Sequence, residues 1–101
     1  MKLIRLYAAA LCTVLLASCG KSGFETVGVA QFKEIIKDPS IVLVDVRTPA
    51  EYAQGHIDNA LNLNVWDSLF VENAVNAIPA GKKVAVYCKS GKRSADAANK
   101  L

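Results

Sequence analysis

The stretch Lys83-Val84-Ala85-Val86-Tyr87-Cys88-Lys89-Ser90-Gly91-Lys92-Arg93-Ser94 joins an apolar, β-prone run to a short cationic loop, and Ala95-Asp96-Ala97-Ala98-Asn99-Lys100-Leu101 beyond it is helix-prone. The thiolate is the reactive form of cysteine, and a helix N-terminus with neighbouring cations favours it. Backbone N–H groups of a loop entering a helix form a concave set of donors, to which the helix dipole adds positive potential. Lys89, Lys92 and Arg93 add side-chain charge, Gly91 lets the backbone bend, and Ser94 is placed to act as N-cap. The stretch therefore reads as an anion site centred on Cys88. A cysteine buried as core at a strand end is the bland alternative. It accounts for the thiol but not for the order strand, cysteine, glycine loop, arginine, cap, helix.

Working outward, strands and helices alternate. Ile41-Val42-Leu43-Val44 is a continuous β-branched-rich run, the signature of a strand covered on both faces in a parallel sheet, and Asp45-Val46-Arg47 sits at its carboxyl end. Before it, residues 25–27 suit a small first strand, and Val29, Phe32, Ile35 and Ile36 recur at helical spacing over residues 29–37, stopped by Asp38-Pro39-Ser40. After it, Thr48 as N-cap and Pro49 at the first helical position open a short helix over residues 49–54 that Gly55 ends. Residues 60–63 suit a short strand, and residues 68–78 a helix capped by Asp67 or Ser68. The order β-α-β-α-β-α-β-α predicts an α/β layer fold with a mainly parallel sheet. Ligands of such folds bind beyond the carboxyl ends of the strands, where Asp45, Arg47 and Cys88 all fall.

The N-terminal residues read as a processing signal. Lys2 and Arg5 precede an uncharged apolar run over residues 6–17, the length of a signal-peptide core and short of the about 20 residues that cross a membrane as a helix. The run ends in Leu16-Ala17-Ser18-Cys19-Gly20, which resembles the lipobox of bacterial lipoproteins. On this reading residues 1–18 are a lipoprotein signal peptide, Cys19 is lipidated, residues 19–24 are a tether and residues 25–101 form the domain. The protein is then expected in the bacterial cell envelope, lipid-anchored to a membrane and facing the periplasm or exterior. With Cys12 in the signal and Cys19 lipidated, Cys88 is the thiol that remains, and a lone thiol in an oxidising compartment is reactive or well buried. Lys2 and Arg5 account for most of the formal charge of +3, so the charge balance points away from nucleic acid.

Two segments resemble a known family. Asp45-Val46-Arg47-Thr48-Pro49-Ala50-Glu51-Tyr52-Ala53-Gln54-Gly55-His56-Ile57 is similar to the first signature of rhodanese-like domains, and residues 84–94 to their active-site loop. The resemblance implies the three-layer rhodanese-like fold with a mainly parallel central sheet. It implies a thiosulfate sulfurtransferase: Cys88 takes a sulfane sulfur from an anionic donor such as thiosulfate, becomes a persulfide, and passes it to cyanide or a thiol, with no cofactor and no metal. Residues Lys89, Ser90, Gly91, Lys92, Arg93 and Ser94 would form the substrate-binding loop, with backbone donors of residues 89–93 on the persulfide and Lys89 and Arg93 on the donor's oxyanions. Asp45 and Arg47 would support the pocket, with Arg47 as an ion-pair partner of Glu51 or Asp45 the competing role. His56 resembles a structural histidine of the family rather than a general base.

From Cys88 to Arg93 the loop has six residues, the length associated with sulfur chemistry; related phosphatases and arsenate reductases use a loop one residue longer. A non-catalytic binding or sensor module of the cell envelope is the alternative from another class. Where the family reads Gly-His-Ile-Pro-Gly-Ala, this chain has Asp58 and Asn59, and asparagine tolerates a left-handed φ. Family members continue with a further strand and a final helix, so the chain is expected to be C-terminally truncated. The missing strand would leave unpaired backbone edges inside the sheet.

Overall fold

A computed structural model describes residues 6–9 and 24–101. Its elements follow one another as β1 (Leu6–Ala9), β2 (Phe24–Val27), α1 (Val29–Ile35), β3 (Val42–Asp45), α2 (Pro49–Gln54), β4 (Leu61–Asn62), α3 (Phe70–Ala77), β5 (Val84–Tyr87) and α4 (Lys92–Lys100). The strands form one sheet in the order β2-β1-β5-β3-β4, with every pairing parallel. The alternation expected from the sequence is thus the alternation observed from β2 onward. Among the described residues no helix is long and apolar enough to cross a membrane.

Two-residue periodicity divides the core into two layers. Val44, Val46, Val84, Val86 and Cys88 point to one face, where Phe70, Ala74 and Ile78 of the α3 region and Ala97 and Ala98 of α4 cover them. Leu43, Ala85 and Tyr87 point to the other, against Phe32 and Ile35 of α1 and Tyr52 of α2. All four residues of β5 are buried, as an apolar strand flanked by helices on both faces requires. The result is a helix–sheet–helix sandwich with Cys88 at the carboxyl end of its central strands.

One feature was not expected. Between β2 and β5 lies β1, with Leu6 opposite both Phe24 and Val84 and Ala8 opposite both Thr26 and Val86. Residues 6–9 are part of the run assigned to the export signal. Freedom from charge and proline suits such a run to a membrane and suits it equally to an internal strand whose N–H and C=O groups are paired on both sides. The rest of the expected signal, the lipidation site Cys19 included, lies outside the described residues. Phe24, assigned to the tether, opens β2.

Element ends depart from expectation where side chains intercept the backbone. Helix α1 stops at Ile35, and the Asp38 carboxylate takes the Ser40 N–H and hydroxyl in the turn that follows. Asp67 does not cap α3 itself: its carboxylate accepts from Leu69 N and its carbonyl from Phe70 N, closing a turn just before the helix. Asn59 adopts a φ of 70°, the left-handed turn anticipated for Asp58-Asn59. Helix α2 starts as read, on Thr48, and adds a reciprocal contact: Thr48 Oγ1 accepts from Glu51 N while the Glu51 carboxylate accepts from Thr48 N. Thr48→Ala is expected to cost about 1 kcal/mol, read as a lower urea midpoint at unchanged slope.

Candidate active site

The loop after β5 is wrapped around a sulfur atom. Cys88 is buried, and its Sγ accepts hydrogen bonds from Gly91 N at 3.0 Å and Ser94 N at 3.3 Å. Gly91, at φ 90° and ψ −13°, is the N-cap of α4, a left-handed conformation that glycine adopts without steric cost. This turn aims successive N–H groups inward, and the first turn of α4 adds the positive end of its dipole. Ser94 is therefore not the cap. It lies one turn into the helix, fully buried, with its hydroxyl donating to the Gly91 carbonyl at 3.0 Å while its N–H serves the sulfur. Of the donors expected over residues 89–93, Gly91 N–H reaches the sulfur, and the second donor comes from residue 94, outside that range.

Cys88 forms part of a cleft of about 380 Å³ lined by Arg47, Gly55, His56, Ile57, Tyr87, Cys88 and Lys89. The segment after α2 is one wall and the loop after Cys88 the other. Lys89 is exposed at the rim, and among the described residues it enters no ion pair. Ser90 and Lys92 are exposed and lie outside the cleft lining.

Arg93 is committed elsewhere. Its Nη1 and Nη2 meet the two Glu51 carboxylate oxygens at 2.7 and 3.1 Å, and its guanidinium lies 4.5 Å from the centroid of the Trp66 ring. It braces the helix bearing the cysteine loop against α2 rather than lining the cleft with Lys89. The Glu51 carboxyl is lowered from 4.5 to about 2, first by the Arg93 hydrogen bond and then by the Thr48 N–H. Because this value is depressed on folding, the stabilisation is complete above about pH 4.5 and is lost as pH falls towards 2. Wild type and Glu51→Gln are therefore expected to differ most in melting temperature near pH 6, with the gap closing steadily by pH 3. A gap independent of pH would show that the Glu51 charge is not what matters.

Asp45 and Arg47 build the other support. Asp45 is fully buried and accepts from the Arg47 backbone N–H at 2.9 Å, from Nε at 3.0 Å and from Nη2 at 2.7 Å. Burial pushes the Asp45 carboxyl up, but hydrogen bonds from the Arg47 side chain and backbone and from the Tyr87 hydroxyl outweigh it, so it ionises below its ordinary range. The pairing that the sequence left open between Glu51 and Asp45 falls to Asp45. Arg47 Nη2 also donates to the Gly55 carbonyl at 2.7 Å, and Tyr87 Oη accepts from Ile57 N at 3.0 Å. Burial drives the Tyr87 phenol up to about 12, so it stays protonated and available as a donor at neutral pH. Through Arg47 and Tyr87 the end of the central strands holds the wall made by Gly55 and Ile57.

Trp66 and Tyr87 were not singled out from the sequence, and Glu51 only as an alternative partner of Arg47, not of Arg93. The Thr48-to-Glu51 spacing carries the capping-box pattern, which marks Glu51 as anchored. Trp66 and Tyr87 had no such signal, because their contacts join residues far apart in the chain. His56, read from the sequence as a structural histidine, is stacked on Tyr52 with ring centroids 3.6 Å apart and planes 6° from parallel, and it also lines the cleft. Among the described residues no group of His, Cys, Asp and Glu is gathered as a metal site.

The chain is similar in sequence to several known proteins. The chain is 44% identical over 54 residues to a sulfurtransferase of Allochromatium vinosum, covering 54% of this chain and 48% of that protein. It is 34% identical over 89 residues to the thiosulfate:glutathione sulfurtransferase of Saccharomyces cerevisiae, covering 75% of this chain and 63% of that one. It is 38% identical over 74 residues to a putative mitochondrial thiosulfate sulfurtransferase of Schizosaccharomyces pombe, covering 63% and 52%. The chain thus spans less than two thirds of the length of each of these relatives. No solved structure matches it. The model of the rhodanese-like domain matches residues 28–101, which hold both walls of the cleft and the cysteine loop, and the chain belongs to the rhodanese-like domain family.

Proposed function

We propose that this domain is a sulfurtransferase working through a persulfide on Cys88. The observation that carries the reading is the pair of backbone N–H groups, from Gly91 and Ser94, directed at Cys88 Sγ beside an open cleft. The thiolate attacks the outer sulfur of a donor such as thiosulfate. The bond between the two donor sulfurs breaks, its electron pair leaves with sulfite, and the outer sulfur remains on Cys88. A cyanide or thiol acceptor then takes that sulfur and returns the thiolate. Lys89 at the rim supplies positive charge for the donor's oxyanion; Arg93, held by Glu51, acts on the loop's shape. The sulfurtransferase names of the relatives support the same class of reaction.

Intact-mass measurement of the folded chain after thiosulfate treatment tests this. A gain of one sulfur that dithiothreitol or cyanide removes is the expected result. No gain in a demonstrably folded protein would sink thiosulfate as the donor and leave the cleft as a binding pocket.

The lipid-anchored location is also proposed, on the strength of Leu16-Ala17-Ser18-Cys19 and the apolar run before it. Labelled fatty acid should be incorporated into the protein expressed in a bacterium and be absent from Cys19→Ser; equal labelling of both would refute it.

A further inference from the structure

In the cleft, among the described residues, Lys89 enters no ion pair and one ring nitrogen of His56 enters no hydrogen bond. Its Nδ1 lies 2.8 Å from the Tyr52 carbonyl oxygen, and since a carbonyl only accepts, the proton of the neutral ring belongs on Nδ1. The lone pair is then on Nε2. Stacking on Tyr52 holds the ring plane, and His56 lines the same cleft as Cys88. An oriented imidazole with a fixed tautomer and an uncommitted Nε2 is what a general base requires.

We infer that His56 deprotonates the acceptor in the second half-reaction, and that the acceptor is a thiol presented in its protonated form. This rests on the persulfide reading above. As the acceptor R–S–H approaches the loaded Cys88–S–S⁻, Nε2 takes its proton and the sulfur's electron pair forms a bond to the outer sulfur. The bond from outer sulfur to Sγ breaks, and its pair returns to Sγ as the thiolate that the Gly91 and Ser94 N–H groups receive. R–S–S⁻ departs, the imidazolium passes its proton to solvent, and no external oxidant or reductant is consumed. The first half-reaction moves no proton and has no use for His56. The charged and titratable groups around the ring are Tyr52 beneath it, Tyr87, Cys88, Arg47 and Lys89 in the cleft, and Asp58 two residues along. Arg47 is bound to Asp45 and Tyr87 stays protonated, so neither competes as the base.

The test separates the two half-reactions in His56→Asn, whose amide N–H can replace Nδ1–H on the Tyr52 carbonyl without supplying a base. Protein loaded with thiosulfate and desalted is mixed with N-acetylcysteinamide as the probe thiol, and loss of the persulfide mass is timed across pH. Loading is expected to persist while discharge at pH 6.5 slows about 100-fold. The deficit should shrink as pH approaches the thiol's own pKa, about 8.5, where the acceptor arrives already ionised. His56→Gln, measured alongside, should behave the same way if the missing base is the cause. Equal discharge by wild type and both variants, or a deficit of the same size at every pH, overturns the assignment while leaving the persulfide intact. Absence of loading in folded wild type would sink thiosulfate as the donor, and this assignment, which rests on the loaded Cys88, falls with it.

Discussion

Cys88→Ser is expected to fold as the parent does and to lose sulfur transfer by on the order of 10³-fold or more. The serine oxygen can take the same two N–H groups, from Gly91 and Ser94, that now point at Sγ, so the loop keeps its internal partners. A serine hydroxyl is a far weaker nucleophile than a thiolate at neutral pH, and the sulfur-for-oxygen exchange removes the atom that would carry the persulfide. Thermal unfolding should therefore change little, while the mass gain on thiosulfate treatment disappears. A sulfur still acquired by the folded variant would place the chemistry at another residue and detach the cleft from the reaction.

Removal of residues 1–18, the cut that lipidation of Cys19 requires, is expected to abolish cooperative folding of this sheet, so the lipid-anchored form and this sheet are alternatives. Those residues include β1, which pairs in parallel with β2 on one side and β5 on the other. Without it β2 loses its place in the sheet, since β1 alone joins it to β5 in the strand order. Each ladder hydrogen bond contributes roughly 1 kcal/mol net, and buried groups left without partners cost more. A small domain has only about 5–15 kcal/mol in all, so a strand paired on both edges is not dispensable. Circular dichroism melts of the full and shortened chains decide it. A shortened chain that melts cooperatively at the temperature of the full one would show that the sheet does not depend on β1, and cleavage before Cys19 would then cost the fold nothing. Loss of the transition would mean that residues 6–9 cannot serve a cleaved signal and this sheet in the same molecule.

The elements were legible where the signal is local. Thr48-Pro49 carries a cap and a proline that act within one turn, and α2 begins where they place it. The β-branched runs at Val42 and Val84 need only double-sided burial to be recognised, and both are internal strands of the sheet. Cys88, Asp45 and Arg47 were expected at the carboxyl ends of parallel strands, and β3 and β5 end there as expected. Ser94 was misplaced by one turn of helix because Gly91, in a left-handed conformation, takes the cap position three residues earlier. Arg93 was assigned to the anion because its charge was visible and its partner was not: Glu51 lies 42 residues away in the chain.

By itself the sequence determined the succession of strands and helices from β2 onward, the place of Cys88 at the end of the last strand and the cationic character of the loop after it. Each of these follows from propensity, periodicity and charge within a few residues. The tertiary structure decided how the charges are spent. It gave Asp45 to Arg47 and Glu51 to Arg93, left Lys89 facing the cleft, and turned His56 onto Tyr52. It also put Leu6–Ala9 into the sheet, a placement that the apolar run permits and that pairs the backbone of β2 and of β5. The division has one physical reason: local backbone preferences are encoded residue by residue, whereas an ion pair or a strand pairing exists only once distant segments share the same space.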